Sequence, residues 1–293
     1  MPKVHDKNVV LRKPDWLKIR LRSDAASAEV ERIVEGHCLH TICSSGMCPN
    51  KAECWSRRTA TFMIMGDVCT RSCRFCATRS GRPLPLDGAE PEHVAESVRL
   101  MQLRHVVVTS VARDDLPDHG ARHWARTVEA IRKENPGATI ELLISDMDAR
   151  TELIDIVLAS RPDIVGHNIE TVERLTPEVR SRAKYATSLA ALRYMAQQGA
   201  VVKSGLMVGL GESDEEVLAA LADLREAGVR IVTIGQYLQP TKEHHPVAAY
   251  ITPQKFEWYR LRALEMGFSY CASAPLVRSS YLADAALEAV KSL

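Results

Sequence analysis

The sequence predicts an α/β fold, a partial (β/α)6 TIM-like barrel flanked by an N-terminal extension and a C-terminal segment that closes its mouth. Three observations predict it. From Ala60 onward, apolar runs of strand length alternate with amphipathic stretches of helical period. The alternation repeats six times, which requires a parallel sheet with right-handed crossovers. The 293 residues are too few for eight such units once the irregular first 59 are set aside. The expected organisation is an extension over 1–59, a barrel over 60–268 and a closing segment over 269–293.

Within the extension one short helix is expected, at 25–34. The barrel strands are expected at 60–65, 105–111, 139–144, 163–167, 201–208 and 230–236. The helices that follow them are expected at 91–103, 119–134, 149–159, 188–198, 213–227 and 252–266. Ser213 with Glu216 forms a capping box, and Gly228 ends that helix. Thr252 followed by Pro253 reads as an N-cap and a first-turn proline, with Gly267 as the C-cap.

Hydrophobic residues make up 46% and charged residues 26%. That balance excludes disorder, a collagen-like repeat and a disulfide-stapled mini-scaffold. A net charge of +1 gives no global attraction for nucleic acid. No apolar run approaches the roughly 20 residues needed to span a bilayer, so no membrane association is expected. Residues 1–10 carry Lys3, His5, Asp6 and Lys7 and no apolar core of a signal peptide. A cytoplasmic location is expected, where thiols stay reduced.

Seven of the eight cysteines fall between Cys38 and Cys76. In a reducing compartment such a cluster reads as metal binding or catalysis. Two spacings stand out: Cys43-x4-Cys48-x5-Cys54 and Cys69-x3-Cys73-x2-Cys76. A closed structural zinc site takes four ligands, and His37 or His40 could complete one triplet. A cubane iron–sulfur cluster held by three thiolates leaves one iron open for a substrate or cofactor. Cys38 and Cys271 belong to neither triplet and are expected as small buried apolar residues.

The active face of a parallel barrel lies at the carboxyl ends of its strands. Cys69, Cys73 and Cys76 follow the first strand. Arg113, Asp114 and Asp115 follow the second, and Asp146 the third. His167, Asn168 and Glu170 end the fourth, Gly209 and Gly211 follow the fifth, and Gln236 ends the sixth. Thiols, polar groups and a glycine-rich turn thus share one rim.

The string CTRSCRFC at 69–76, with Phe75 before its last cysteine, resembles the radical S-adenosylmethionine (SAM) signature. The string CSSGMCPNKAECW at 43–55 and Arg278-Ser279-Ser280-Tyr281 resemble motifs of the lipoyl synthase family. Further likeness lies in RKPDWLKIRL at 12–21, TSVARDDLPD at 109–118, HNIETV at 167–172, SGLMVGLGE at 204–212 and GQYLQPT at 235–241. It spans nearly the whole chain, from Arg12 to Tyr281. Both triplets plus the RSSY string, in order, are highly specific.

The resemblance implies two [4Fe–4S] clusters. Cys69, Cys73 and Cys76 hold one, whose open iron binds SAM and cleaves it to a 5′-deoxyadenosyl radical. Cys43, Cys48, Cys54 and the oxygen of Ser280 hold an auxiliary cluster, which is the consumed source of sulfur. The implied reaction inserts two sulfur atoms at carbons 6 and 8 of an octanoyl chain. That chain is amide-linked to a lysine of a lipoyl carrier domain or of the glycine-cleavage H protein. Two SAM molecules are cleaved per lipoyl group. A flavodoxin or ferredoxin would supply electrons, and an iron–sulfur carrier would rebuild the auxiliary cluster. Phe75 is expected against the adenine. Asn168 and Glu170 are expected at the ribose or methionyl groups, and Gly209 and Gly211 where backbone approaches SAM. Arg278 is expected to hold the RSSY turn. Ser280, a poorer match for iron than a thiolate, is expected to leave early and expose a sulfide. Arg113, Arg122 and Lys184 are candidates for meeting an acidic carrier.

The sequence departs from the family pattern at four places. Leu282 follows Tyr281, Ala274 precedes Pro275, His119 stands where glycine is common, and Ala112 where Asp or Asn is common. None removes a cluster ligand. Biotin synthase is similar in reaction class but lacks the N-terminal triplet with RSSY. A zinc-stabilised interaction module leaves the barrel repeats and the polar rim unexplained.

Overall fold

The computed structural model describes residues 12–19, 24–281 and 283–291. Residues 1–11, the last part of the string at 12–21, and Leu282 lie outside the described residues. The N-terminal part comprises α1 (Ala25–Gly36), β1 (His40–Thr41), α2 (Ile42–Ser45) and α3 (Lys51–Ser56). The chain then runs through β2 (Thr61–Ile64), β3 (Val68–Cys69), β4 (Arg79–Ser80), α4 (Glu90–Leu100), β5 (His105–Ser110) and α5 (Ala121–Glu134). Next come β6 (Thr139–Leu143), α6 (Thr151–Ala159), β7 (Ile164–Gly166), α7 (Thr176–Val179), α8 (Tyr185–Gln197) and β8 (Val202–Val208). It closes with α9 (Asp214–Glu226), β9 (Ile231–Gln236), α10 (Pro253–Glu265), β10 (Tyr270–Ala274) and α11 (Ala283–Lys291).

One eight-stranded sheet runs in the order β1-β2-β5-β6-β7-β8-β9-β10. Every pairing from β2 to β10 is parallel, and β1 joins β2 antiparallel. The six expected strand–helix units are present, in order, as an open barrel. The sheet extends the expectation at both ends. β1 adds an edge from the N-terminal part, and β10 adds a seventh parallel strand within the segment expected only to close the site.

The strands are buried on both faces, as parallel strands under helices must be. Phe62, Ile64, Val106, Val108, Ile140, Leu142 and Val165 are fully enclosed on one face, and Met63, Val107 and Glu141 are buried on the other. The helices end as their caps dictate. Ser213 and Glu216 form the reciprocal capping box of α9, and Thr252 caps α10 ahead of Pro253.

Charge is also buried near the amino ends of the strands. Lys203 of β8 donates to Glu141 of β6 at 2.6 Å, and both side chains are at least 95% buried. His105 of β5 lies 3.7 Å from the other oxygen of Glu141. Burial opposes the Glu141 charge, and Lys203 then holds its carboxyl below the usual range.

Candidate active site

The loop after β2 is fixed by its own backbone. β3 and β4 pair parallel and close the loop that carries Cys69, Cys73 and Cys76. The N–H groups of Arg71 and Ala112 point at the Cys69 sulfur, at 3.4 and 3.3 Å. Burial pushes the Cys69 thiol up, and these two donors pull the other way, towards the thiolate. Arg74 N–H donates to the Val179 carbonyl at 2.9 Å, and His244 Nε2–H donates to the Cys76 carbonyl at 3.0 Å.

Arg71, inside the triplet, anchors this loop to two strand ends. Its guanidinium donates to both oxygens of Asp114, at 2.9 and 2.8 Å, and to Asp146 at 2.8 Å. Arg71 and Asp146 are 7% and 1% exposed, so these are buried charges that need one another. Burial opposes the Asp146 charge, and the facing His167 and Arg71 hold the carboxyl down at about 2. His167 is itself pushed down to about 4, by burial first and by Arg180 second. Its ring is therefore neutral near pH 7, and Arg71 is the charge that matters to Asp146. Arg180, also buried, donates to Ser188 and to the Ile169 carbonyl. Its charge interactions are with Glu170, Asp146 and Cys73.

The other triplet lies in the N-terminal part. Cys43 is buried in α2, Cys48 follows α2, and Cys54 lies in α3. The Cys54 thiol is pushed up to about 12 by burial and by the neighbouring Cys43 and Cys48. Such thiols stay protonated until a metal displaces the proton. The C-terminal motif comes to this triplet. Asn50 donates to the Leu276 carbonyl at 2.7 Å, and Tyr281 OH donates to Glu53 at 3.0 Å. Arg278 is pushed down by burial and senses Cys48 as its charged neighbour. Ser280 accepts a hydrogen bond from Thr61 of β2 at 2.8 Å. Gly235 of β9 makes room for this segment, because a Cβ there would lie 2.2 Å from the Val277 carbonyl oxygen.

All six thiols are free. Among the described residues, the one set of three ligating atoms all within 4.8 Å is Asp114, His119 and Asp148. Neither triplet is therefore drawn in around a single ion, as Zn–S bonds near 2.3 Å would require. A cubane places each ligand on a different iron, and three spaced thiols fit that group. The Asp–His set is already neutralised by Arg71 and Arg182, which pair with its aspartates.

Other expected residues fall in varied settings. Phe75 is partly buried against the core. Asn168 donates to Ser279 at 2.7 Å, linking the fourth strand end to RSSY. The Glu170 carboxyl is pushed up by burial, and its backbone bridges to Leu206. Gly209 has φ +97°, and a Cβ there would meet Gln236 and the Ala249 carbonyl within 2.4 Å, so packing alone requires glycine. Gly211, at φ +113°, has nothing nearer than 3.8 Å and stays open.

Two expectations are corrected. Arg113 cannot meet a carrier, because it is 3% exposed and spent on Asp115 and the Met65 carbonyl. Arg122 and Lys184 are exposed. Cys38 is exposed at φ 53°, not buried. Cys271 is buried as expected. His37 hydrogen-bonds Ser97 and pairs with Glu96, a local role.

The departures take on physical meaning. His119 has φ 48°, the left-handed region that suits glycine. Ala112 works through its backbone, whose N–H serves Cys69 and whose carbonyl accepts from Thr70. The Ala274 carbonyl accepts the Val277 N–H at the turn into RSSY. Sequence reading missed Arg71, Arg180, Thr61 and Asn50. The one signal available was that Arg71 lies inside the triplet.

The model of the radical SAM superfamily matches residues 63–224. A lipoyl synthase of Parabacteroides distasonis is 58% identical over 274 residues, covering 94% of this chain and 98% of that protein. A lipoyl synthase of Bacteroides fragilis is 58% identical over 280 residues, covering 96% of both. One of Christiangramia forsetii is 54% identical over 273 residues, covering 93% of both. Among solved structures, methylornithine synthase is similar in fold, with a TM-score of 0.56 at 15% identity over 74% of this chain and 72% of that one. A maturase of the [FeFe]-hydrogenase gives a TM-score of 0.53 at 13% identity, over 85% of this chain and 68% of that one. Those two likenesses speak to the barrel, whereas identity above one half along both chains speaks to descent. The chain belongs to the lipoyl synthase family of the radical SAM superfamily.

Proposed function

We propose that this protein is the lipoyl synthase of its source: a radical SAM enzyme that inserts two sulfur atoms at carbons 6 and 8 of a protein-bound octanoyl-lysine chain. The observation that carries this reading is the meeting of two distant segments. Arg278 and Ser280 lie beside the Cys43, Cys48 and Cys54 segment, more than 220 residues away in sequence. A radical SAM barrel alone would need only Cys69, Cys73 and Cys76.

The substrate carbons have no acidity for a base to exploit. When bound, a [4Fe–4S] cluster at Cys69, Cys73 and Cys76 with SAM supplies a radical that takes hydrogen from such carbons. The chain's residues position and enclose that chemistry. Arg71 holds the thiol loop against the ends of β5 and β6 through Asp114 and Asp146. The N–H groups of Arg71 and Ala112 stabilise the Cys69 thiolate. Phe75, Asn168, Glu170 and Gly211 remain candidates to bind SAM. Arg180 joins them as a buried cation facing Glu170 and Cys73.

The sulfur substrate is an auxiliary [4Fe–4S] cluster held by Cys43, Cys48, Cys54 and Ser280. A serine oxygen matches iron less well than a thiolate and leaves first. Thr61 gives the departing Ser280 hydroxyl a hydrogen-bonding partner inside the barrel. Buried Arg278 offsets negative charge beside Cys48. The acceptor is an octanoylated lipoyl domain or H protein. A flavodoxin or ferredoxin donates the electrons, and an iron–sulfur carrier restores the spent cluster. None of the described helices is long and apolar enough to cross a membrane, and a cytoplasmic site of action suits the free thiols.

The test is anaerobic. The protein is reconstituted with iron and sulfide, then given SAM, reductant and an octanoylated carrier peptide. Mass spectrometry should show two sulfurs gained for two hydrogens lost, with 5′-deoxyadenosine formed. 5′-Deoxyadenosine without sulfur on the peptide, with both clusters loaded, would sink this function. Ser280→Ala forming full lipoyl product at the wild-type rate would remove the role given to Ser280.

A further inference from the structure

A cavity of about 320 Å3 has Cys54 and Ser280 in its wall. It lies away from the thiol loop of Cys69. Thr59 and Ala60 of its wall precede β2, and Leu103 and Arg104 precede β5. It therefore opens at the amino ends of the strands, whereas Cys69, Cys73 and Cys76 follow the carboxyl end of β2. Its rim is basic. Arg57, Arg58 and Arg104 line it and are exposed, against the single acid Asp284. Arg58 pairs with Glu29 at 2.8 Å. Arg57 and Arg104 have no carboxylate within 4.0 Å among the described residues.

Two arginines with no carboxylate partner among the described residues, beside a passage to Cys54 and Ser280, form an electrostatic funnel for anions. The octanoyl chain is uncharged and must reach a radical formed at the opposite ends of the strands. A thiolate-bound iron–sulfur cluster is anionic and must reach Cys54 and Ser280. We infer that this cavity is the port through which an acidic carrier protein delivers a [4Fe–4S] cluster to the auxiliary site, with Arg57 and Arg104 as its docking charges. The inference rests on the reading of Cys43, Cys48, Cys54 and Ser280 as the consumed site. Reloading would then proceed from behind the spent cluster and leave the SAM face closed.

The transfer is a ligand exchange without redox change. The cluster moves as a [4Fe–4S]2+ unit, and its bonds to the donor's four thiolates are replaced by bonds to three cysteines and Ser280. The protons those four side chains lose go to the four thiolates left on the donor.

The experiment uses full-length protein carrying only the Cys69, Cys73 and Cys76 cluster. The probe is an acidic four-cysteine peptide holding one [4Fe–4S] cluster; ferrous ion with sulfide is the control source. Iron content of the re-isolated protein, and the electron paramagnetic resonance signal of the second cluster in samples reduced with dithionite after each interval, are followed with time. With Arg57→Glu/Arg104→Glu, uptake from the peptide should slow by roughly tenfold or more and lose its salt dependence. Uptake from ferrous ion and sulfide should be unchanged. Arg104→Lys, which keeps the charge, should load near the wild-type rate. Equal rates from the peptide in wild type and the double variant would overturn the port. So would an equal loss from both sources, which marks damage to the site itself. Wild-type protein that takes a second cluster from neither source would remove the auxiliary-site reading, and the port with it.

Discussion

The loop carrying Cys69, Cys73 and Cys76 is held from within the barrel. Arg71, Asp114 and Asp146 are buried charges from three neighbouring segments, and their bonds are 2.8–2.9 Å long. The segment carrying Cys43, Cys48 and Cys54 joins the sheet through β1 and packs Cys43 and Trp55 into the core, and on its other side it meets the end of the chain. Its ties to the end of the chain are the hydrogen bond from the Asn50 amide to the Leu276 carbonyl and the one from the Tyr281 hydroxyl to Glu53, with Ser280 held by Thr61. The first arrangement suits a centre that survives every turnover. The second, whose contacts with the end of the chain are few and partly exposed, suits the consumed site proposed above. In that proposal the buried ion network lies where chemistry repeats, and the few tail contacts lie where a reactant is stored.

The largest effect should come from removing a thiol from the labile segment. Cys54→Ala should cut sulfurated product by at least ~100-fold, while iron falls from about eight to about four per chain. It should still cleave SAM, because the barrel triplet is untouched. Loss of SAM cleavage as well would show that the two segments are not independent. Peptide mass spectrometry and 5′-deoxyadenosine assay read both.

Next in size is the rigid loop. Arg71→Met removes the hydrogen-bonded counter-charge of Asp114 and Asp146, leaving them the more distant Arg182 and Arg180, and should cost about 3 kcal/mol of stability. SAM cleavage should fall with it. Denaturant titration measures the first effect, and a normal midpoint would break the contrast between the segments.

A smaller effect is set by pH. His167 titrates at about 4 in the fold and near 6.5 unfolded. Between these values the unfolded chain binds more protons, so stability falls as pH drops from 6.5 towards 4. The full loss is up to about 3 kcal/mol. His167→Gln should flatten this slope in denaturation curves taken across that range. The Asp146 contribution has the same proton bookkeeping, over a lower range. It is complete above the ordinary carboxylate value and is lost only as pH falls towards 2.

The smallest effect should come from the labile tether. Tyr281→Phe removes a partly exposed hydrogen bond to Glu53 and should cost no more than about 1 kcal/mol. Its signature is kinetic, in the proportion of singly sulfurated peptide after one round. An unchanged proportion would show that the tether plays no part in opening the segment.

The six expected strands were legible because each is a mainly apolar, strand-length run followed by a helical period, even where a charge such as Lys203 or Glu141 interrupts it. β10 was not, because Tyr270–Ala274 is built of small and polar residues with no alternation. It becomes a strand by pairing with β9 residue for residue. β1 is two residues long and carries no period at all. Arg113 reads in sequence as a charge beside two acids, and Arg71 as a charge within the thiol triplet. The fold buries both, and this removes one from the surface and makes the other an anchor.

What the sequence by itself determined is local or repetitive. It specified the spacing of thiols within each triplet, the strand–helix alternation, the caps, and the ordered strings that mark the family. Each is encoded within a few residues or by a period, so it survives without knowledge of the fold. What only the tertiary structure decided are the partners. Ser280 meets Thr61 across 219 positions, Tyr281 meets Glu53 across 228, and Arg71 meets Asp146 across 75. No periodicity records such pairs, because each depends on where the sheet carries a strand end and how deeply burial removes water from a charge.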